Sequence, residues 1–230
     1  MLPIKASSQL AFRVGGLRVD VIGRGAELDR TRAWLKATSS DRTALFIEGE
    51  PGIGKTTIWS DGINQARLED WTVLVCRPRP SDAGLSNVGI TDLLRNVPDE
   101  AFADLPAPQR GPLEVATLRK EAGDGDLEPR AVGTALTALL AGMAVRGSLL
   151  LAVDDAQWLD AASARALAFA LHRQDRGNVR LLAAFRIETG TARASAAFTT
   201  FESALGRDHI DRVPVGPMSV AAIHRLILET

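Results

Sequence analysis

Gly49-Glu50-Pro51-Gly52-Ile53-Gly54-Lys55-Thr56 decides how the rest of the chain is read. The stretch fits the pattern G-x-x-x-x-G-K-[ST] in full. Glycines let backbone N–H groups curl around phosphate oxygens with no Cβ in the way. A helix that starts at the end of such a loop points its positive end at the same oxygens. Lys55 supplies a mobile positive charge for the outer phosphates, and Thr56 offers a hydroxyl to a Mg²⁺ ion. The flanks agree with this reading. The apolar run Thr43–Ile47 reads as a strand that ends at Gly49. Lys55–Leu68 carries Trp59, Ile63 and Ala66 at i, i+4 and i+7, which reads as a helix. Only four of the 27 basic residues are lysine, and one of the four sits in this loop.

A phosphate loop of this kind needs an acidic residue at the end of a neighbouring strand. Leu149-Leu150-Leu151-Ala152-Val153 delivers Asp154 and Asp155 there, 99 residues after Lys55. The carboxyl edge of the sheet is where α/β proteins bind ligands. Asp154 is placed to share a metal with Thr56, and Asp155 to orient or deprotonate an attacking water. Arg186, after the apolar run Val179–Phe185, reaches the same edge and can sense the outermost phosphate. Trp71–Val75 is the remaining strand candidate. Helical patterns fill Glu27–Ala37, Val88–Arg95, Leu113–Lys120, Ala131–Val145 and Ala161–Arg173. The strands are continuous apolar runs, so both faces must be covered. The fold expected is α/β: a P-loop NTPase with a parallel sheet flanked by helices in a three-layer sandwich. Pro78–Asp126, rich in Pro and Gly, is expected to wrap the surface with some helix.

Composition narrows the function. The chain has 230 residues, 46% hydrophobic and 24% charged, with a net charge of −1. A chain built to grip phosphate backbones would show a basic excess. A single cysteine, Cys76, excludes an intrachain disulfide and a cysteine-based zinc site, and fits a cytoplasmic protein. The first 20 residues hold no apolar core of signal-peptide length. Ala131–Val153 is the most membrane-like stretch, but Arg146-Gly147 breaks it into a buried helix and a buried strand. No G-x-S-x-G occurs, and His172, His209 and His224 have no metal-ligand spacing.

Several stretches together resemble a known family. Val21-Ile22-Gly23-Arg24-Gly25-Ala26-Glu27-Leu28 looks like the glycine–arginine box that opens AAA-type STAND nucleotide switches, and Gly49 to Thr57 like their phosphate loop. Leu105-Pro106-Ala107-Pro108-Gln109-Arg110 and Leu150 to Asp160, with Ser163–Phe169, resemble the Orc1-like AAA ATPase domain of large LuxR-type transcriptional regulators. The resemblance implies ATP and Mg²⁺ as ligands. The phosphate contacts would come from Gly49, Glu50, Pro51, Gly52, Ile53, Gly54, Lys55, Thr56 and Thr57. Ile22, Gly23 and Arg24 would line the adenine side, Arg186 would be the sensor arginine, and Pro217 would touch the base. It also implies an extension over 1–20, an ATPase domain over 21–212 and the truncated start of a helical or winged-helix module over 213–230. Arg173 and Arg176 are candidates for an arginine finger.

Three functions compete. The first is an ATP-binding, slowly hydrolysing switch that lacks the DNA-binding output. The second is a P-loop kinase with a small acceptor, for which Pro78–Arg130 would supply lid arginines Arg95, Arg110 and Arg119. The third is a non-hydrolysing remnant that acts through protein partners. Val220–Thr230 reads as a helix with Ile223, Leu226 and Ile227 on one side, suited to a following module or to self-association. No stretch pairs a basic face with a helix-turn-helix pattern, so this chain alone is not expected to bind DNA specifically.

Overall fold

A computed structural model describes residues 11–14, 17–20, 22–37, 42–121, 127–174, 178–187 and 194–228. Two short strands, β1 (Ala11–Val14) and β2 (Leu17–Asp20), pair antiparallel within the expected N-terminal extension. Helix α1 (Gly25–Lys36) follows, then β3 (Ala44–Gly49), α2 (Lys55–Leu68) and β4 (Thr72–Cys76). Next come α3 (Val88–Leu93), α4 (Asp99–Ala103), α5 (Ala107–Ala116) and α6 (Pro129–Ala144). The rest is β5 (Leu149–Val153), α7 (Ala161–Arg173), β6 (Val179–Arg186), α8 (Ala196–Leu205), β7 (Ile210–Val215) and α9 (Val220–Leu228).

The main sheet has five strands in the order β4-β5-β6-β3-β7, every neighbouring pair parallel. Side chains alternate across each strand, so the sheet feeds two separate cores. Leu45, Ile47, Leu150, Ala152, Leu182 and Ala184 pack under α1 and α2 with Trp34 and Trp59. Phe46, Leu151, Val153, Leu181, Ala183 and Phe185 pack under α3 to α8. Helices on both faces of a parallel sheet make the three-layer arrangement expected. Two polar ties fix α1: the Arg32 guanidinium grips the fully buried Asp61 carboxylate of α2 at 2.7 and 3.0 Å, and the buried Arg180 of β6 donates to the carbonyl of Leu35 at 3.2 Å, near the helix's negative end.

Four strands and most helices lie where the sequence placed them. Ala131–Val153 is α6 followed by β5, and among the described residues no helix is long and apolar enough to cross a membrane. Three features differ. Pro78–Asp126 does not merely wrap the surface: Ile90, Leu93, Leu94, Phe102, Leu105 and Leu113 fill one of the two cores. Its third helix spans Ala107–Ala116 and not Leu113–Lys120, because Leu118 takes a positive φ of 56° that ends helical backbone. The strand β7 was not expected, since it alternates and contains Pro214. As the outermost strand it buries Val213 and Val215 on one side and tolerates a proline. The expected boundary after residue 212 falls inside β7, which pairs with β3 throughout its length.

Burial pushes the Cys76 thiol up to about 12, helped by the carboxylates of Asp92, Asp160 and Asp82. It packs as a small side chain in the core.

Candidate functional site

The phosphate loop leaves the sheet where β7 crowds it. A Cβ on Gly49 would lie 2.8 Å from the Val215 carbonyl oxygen, so a larger residue would push the strands apart. Gly54, at φ +102°, turns the backbone into the first turn of α2 through a conformation that side chains rarely adopt. Lys55 opens α2 and is only 7% exposed. Its Nζ donates to the Glu50 carbonyl at 2.7 Å, across the mouth of the loop. Burial is the main reason its pKa falls below the usual lysine value. Asp155 and Asp154 draw it back up, and Arg186 pushes it further down.

β5 brings the acidic pair to the same edge. The Thr56 hydroxyl donates to Asp154 Oδ1 at 3.4 Å, and the Asp155 amide donates to that oxygen at 3.0 Å. Asp154 is buried, and burial followed by the charge of Asp155 raises its pKa. The bonds from Thr56 and the Asp155 amide, with the charge of Arg77, offset part of that rise. Asp155 is exposed and sits at φ +44°, a left-handed conformation that costs a non-glycine residue about 1–3 kcal/mol. Its carboxylate accepts from Gln157 Nε2 at 2.9 Å, and Gln157 Oε1 accepts from the Arg186 amide at 3.0 Å. Sequence reasoning missed Gln157. Its signal in the sequence was its place within Leu150–Asp160, a stretch whose resemblance assigned it no role.

Further along the same motif, Asp160 is buried and accepts from the amides of Asn87, Gly89 and Ser163, each at 2.9 Å. It caps α7 and pins the segment before α3, which holds the acidic turn still.

The glycine–arginine box reaches the loop from the other side. Arg24 is 3% exposed. Its guanidinium donates to the Ile53 carbonyl at 2.7 Å, the Gly216 carbonyl at 2.8 Å and Glu27 Oε1 at 2.9 Å. Ile22 and Gly23 lie in the turn that leads into Arg24. Pro217, exposed, follows the carbonyl that Arg24 holds. A Cβ on Gly23 would meet Ala222 of α9 at 2.5 Å, so α9 lies directly on this turn. Glu50, Pro51 and Gly52 are exposed at the loop's tip, Thr57 is half-buried below it, and Arg186 is exposed at the end of β6. Arg173 stacks on Phe169 at the far end of α7, about 20 Å along the helix from Asp160. Arg176 lies outside the described residues.

The donor set fits a nucleotide with Mg²⁺. Thr56 Oγ1 and Asp154 Oδ1 are hard oxygen donors side by side, and Mg²⁺ typically takes one or two carboxylates plus phosphates. Among the described residues no group of three or more His, Cys, Asp or Glu converges. A cation here would therefore rest on Thr56, Asp154 and the phosphates it neutralises.

A family model for the AAA ATPase domain matches residues 20–182. No curated protein sequence matches the chain. Among solved structures, a DNA replication initiation factor is similar at 16% identity and a TM-score of 0.49, covering 91% of this chain and 51% of that one. AMPPCP-bound DnaA from Aquifex aeolicus is similar at 16% identity and 0.47, covering 90% and 50%. Drosophila ORC bound to AT-rich DNA and Cdc6 is similar at 13% identity and 0.40, covering 89% and 64%. The chain spans about half the length of the first two. With a complete phosphate loop, an acidic strand at the same sheet edge and a family match over most of its length, the chain belongs to the AAA ATPase domain family.

Proposed function

We propose that this chain is an ATP-binding, slowly ATP-hydrolysing switch domain of a LuxR-type regulator-like protein of the cytoplasm. The observation that carries the reading is the Thr56–Asp154 contact beside the buried Lys55. Among the described residues the buried Lys55 ammonium donates to a carbonyl, and the buried Asp154 carboxylate accepts from a hydroxyl and an amide. Phosphates would complete the first and a metal the second.

The residues divide the work. The loop amides and Lys55 hold the β- and γ-phosphates, and Thr56 with Asp154 holds the metal. Bound Mg²⁺ would neutralise charge on the phosphate oxygens as the β–γ bond weakens. Asp155 accepts the proton of the attacking water as the water oxygen bonds to the γ-phosphorus and the bridging P–O bond breaks. Arg186 steadies the outermost phosphate. Arg24 joins the phosphate loop to Gly216, and through Gly23 to α9, so nucleotide state can be felt where a following module would attach. Val220 and Leu228 of α9 are largely exposed and suit such a module or a second copy. The LuxR-type affiliation rests on the likeness of Leu105–Arg110 and Leu150–Asp160.

The lid arginines that the kinase alternative would use make contacts within their own helical segment. Arg95 pairs with Asp92, Arg110 donates to the Leu105 carbonyl at 3.0 Å, and Arg119 donates to the Val97 carbonyl at 3.0 Å while it stacks on Phe102. All three tie the helical segment to itself. The test is phosphate release from Mg²⁺–ATP with no acceptor added. Slow release by the wild-type chain, lost in Lys55→Ala, supports the switch reading. Transfer only to an added acceptor supports the kinase, and no release with or without an acceptor supports the non-hydrolysing remnant.

A further inference from the structure

We propose that Gln157 is a positioning residue that holds the Asp155 carboxylate and ties it to the end of β6. The inference deepens the hydrolysis reading and rests on it for its catalytic consequence.

The chemistry of the contact selects glutamine. The Arg186 amide is a donor, so it must meet the oxygen end of the Gln157 amide. The NH₂ end then faces Asp155, whose ionised carboxylate is an acceptor. One side chain thus has to accept at one end and donate at the other, over a fixed span. An ionised glutamate accepts but does not donate. Asparagine is one methylene short, and apolar residues do neither.

The backbone around Gln157 is rigid enough to make the contact directional. Gln157 lies in a single 3₁₀ turn, Ala156–Trp158, that is anchored on both sides. On one side Ala156 is fully buried, and the Asp155 amide bonds to the Asp154 carboxylate that Thr56 holds. On the other, Asp160 is fixed by three amides. The strained backbone of Asp155 lies between those anchors and sets the direction in which its carboxylate leaves the chain. The bond from Gln157 fills one face of Oδ1 and leaves the second carboxylate oxygen to take a proton from water.

The other partner matters as much. Arg186 is the last residue of β6 and stands opposite Gly49, the first residue of the phosphate loop. The Ile187 amide bonds to the Gly49 carbonyl at 3.1 Å. Gln157 therefore closes a short path from the phosphate loop through the end of β6 to the water-activating carboxylate. Any shift of Arg186 as its side chain meets the outermost phosphate moves the peptide that Gln157 holds, and with it the orientation of Asp155.

Two variants separate this role from simple bracing of the turn. Gln157→Ala removes both bonds. Gln157→Glu keeps an acceptor for the Arg186 amide but sets a second negative charge against Asp155. Gln157→Ala is expected to lower kcat for ATP about tenfold, the size of one positioning hydrogen bond, with the ATP dissociation constant within about threefold of wild type. Gln157→Glu is expected to lose at least as much. Wild-type turnover in Gln157→Glu would show that Gln157 serves Arg186 alone and would overturn the proposal, as would a loss in binding with kcat unchanged. A second measurement does not need turnover. In the nucleotide-free protein, Asp155→Ala should shift the side-chain amide resonances of Gln157 and the backbone amide of Arg186 in ¹⁵N-resolved spectra. Unmoved resonances would also overturn it. If the wild-type chain hydrolyses no ATP, the hydrolysis reading falls, and the spectra decide whether Gln157 holds Asp155.

Discussion

The guanidinium of Arg24 donates to the Gly216 carbonyl at 2.8 Å across 192 residues of chain, and to the Ile53 carbonyl at 2.7 Å. A single buried side chain therefore fastens the glycine–arginine turn to the phosphate loop and to the exit of β7. Arg24→Ala removes the buried guanidinium and leaves the half-buried Ile53 carbonyl, the Gly216 carbonyl and the Glu27 carboxylate without that donor. The expected cost is about 2–4 kcal/mol in urea unfolding of the nucleotide-free chain, together with weaker ATP binding. A change within about 0.5 kcal/mol would mean that the latch contributes nothing.

Mg²⁺–ATP at a hundredfold excess over its dissociation constant should stabilise the fold by about 2.7 kcal/mol. For a chain of this size that is a rise in Tm of about 5–10 °C. Lys55→Ala should remove most of the rise, because the phosphates lose their only buried cationic partner in the loop. Equal shifts in the two proteins would remove Lys55 from the phosphate site.

The acidic pair should separate in function and in pH dependence. Asp154 has a pKa raised by burial, so the folded state holds its proton more tightly than the unfolded chain does. Its contribution to stability is then fully present below the ordinary aspartate value and is lost as pH rises through the raised one. Asp154→Asn, which mimics the protonated form, should stabilise the nucleotide-free fold at neutral pH while weakening its response to Mg²⁺–ATP. The gain should vanish in scans near pH 3. Asp155→Asn should keep nucleotide affinity and lose about a hundredfold in turnover, as expected for a missing general base. The reverse pattern would exchange the two roles.

Asp61 is fully buried, and among the described residues its carboxylate is held by Arg32 alone. Asp61→Ala should cost about 3–5 kcal/mol, since it strands a charge under α1. The double change Arg32→Met, Asp61→Leu should recover most of that loss. Denaturant midpoints of the three proteins measure both numbers.

At about 150 mM salt this chain alone should show no sequence-dependent DNA binding below micromolar concentration, because non-specific attraction is screened, the net charge is −1 and no stretch of the sequence pairs a basic face with a helix-turn-helix pattern. Anisotropy titrations with unrelated duplexes check this directly. Tight, sequence-selective binding would require a reading element outside those described.

The phosphate loop, the acidic strand and the layered α/β plan are legible from residue order alone. Those rest on local rules: a fixed spacing of glycines, lysine and hydroxyl, apolar runs for strands buried on both faces, and a 3.6-residue period for helices. Where a segment's state depends on what it packs against, the local rule gave no answer. β7 is amphipathic and carries Pro214, and only its place at the sheet's edge beside β3 makes it a strand. The helices between β4 and β5 look loop-like in composition, and become core because Leu93, Phe102 and Leu113 find a sheet face to cover. The same holds within the site. Arg24 reads as part of a motif, but the two carbonyls that it holds are 29 and 192 residues away. Gln157 meets Asp155 two residues off and Arg186 29 residues off. Spacing along the chain encodes the contacts a helix turn or a loop makes by itself. The hydrogen bonds that close between strands are decided only when the sheet assembles and brings donor and acceptor within about 3 Å of each other.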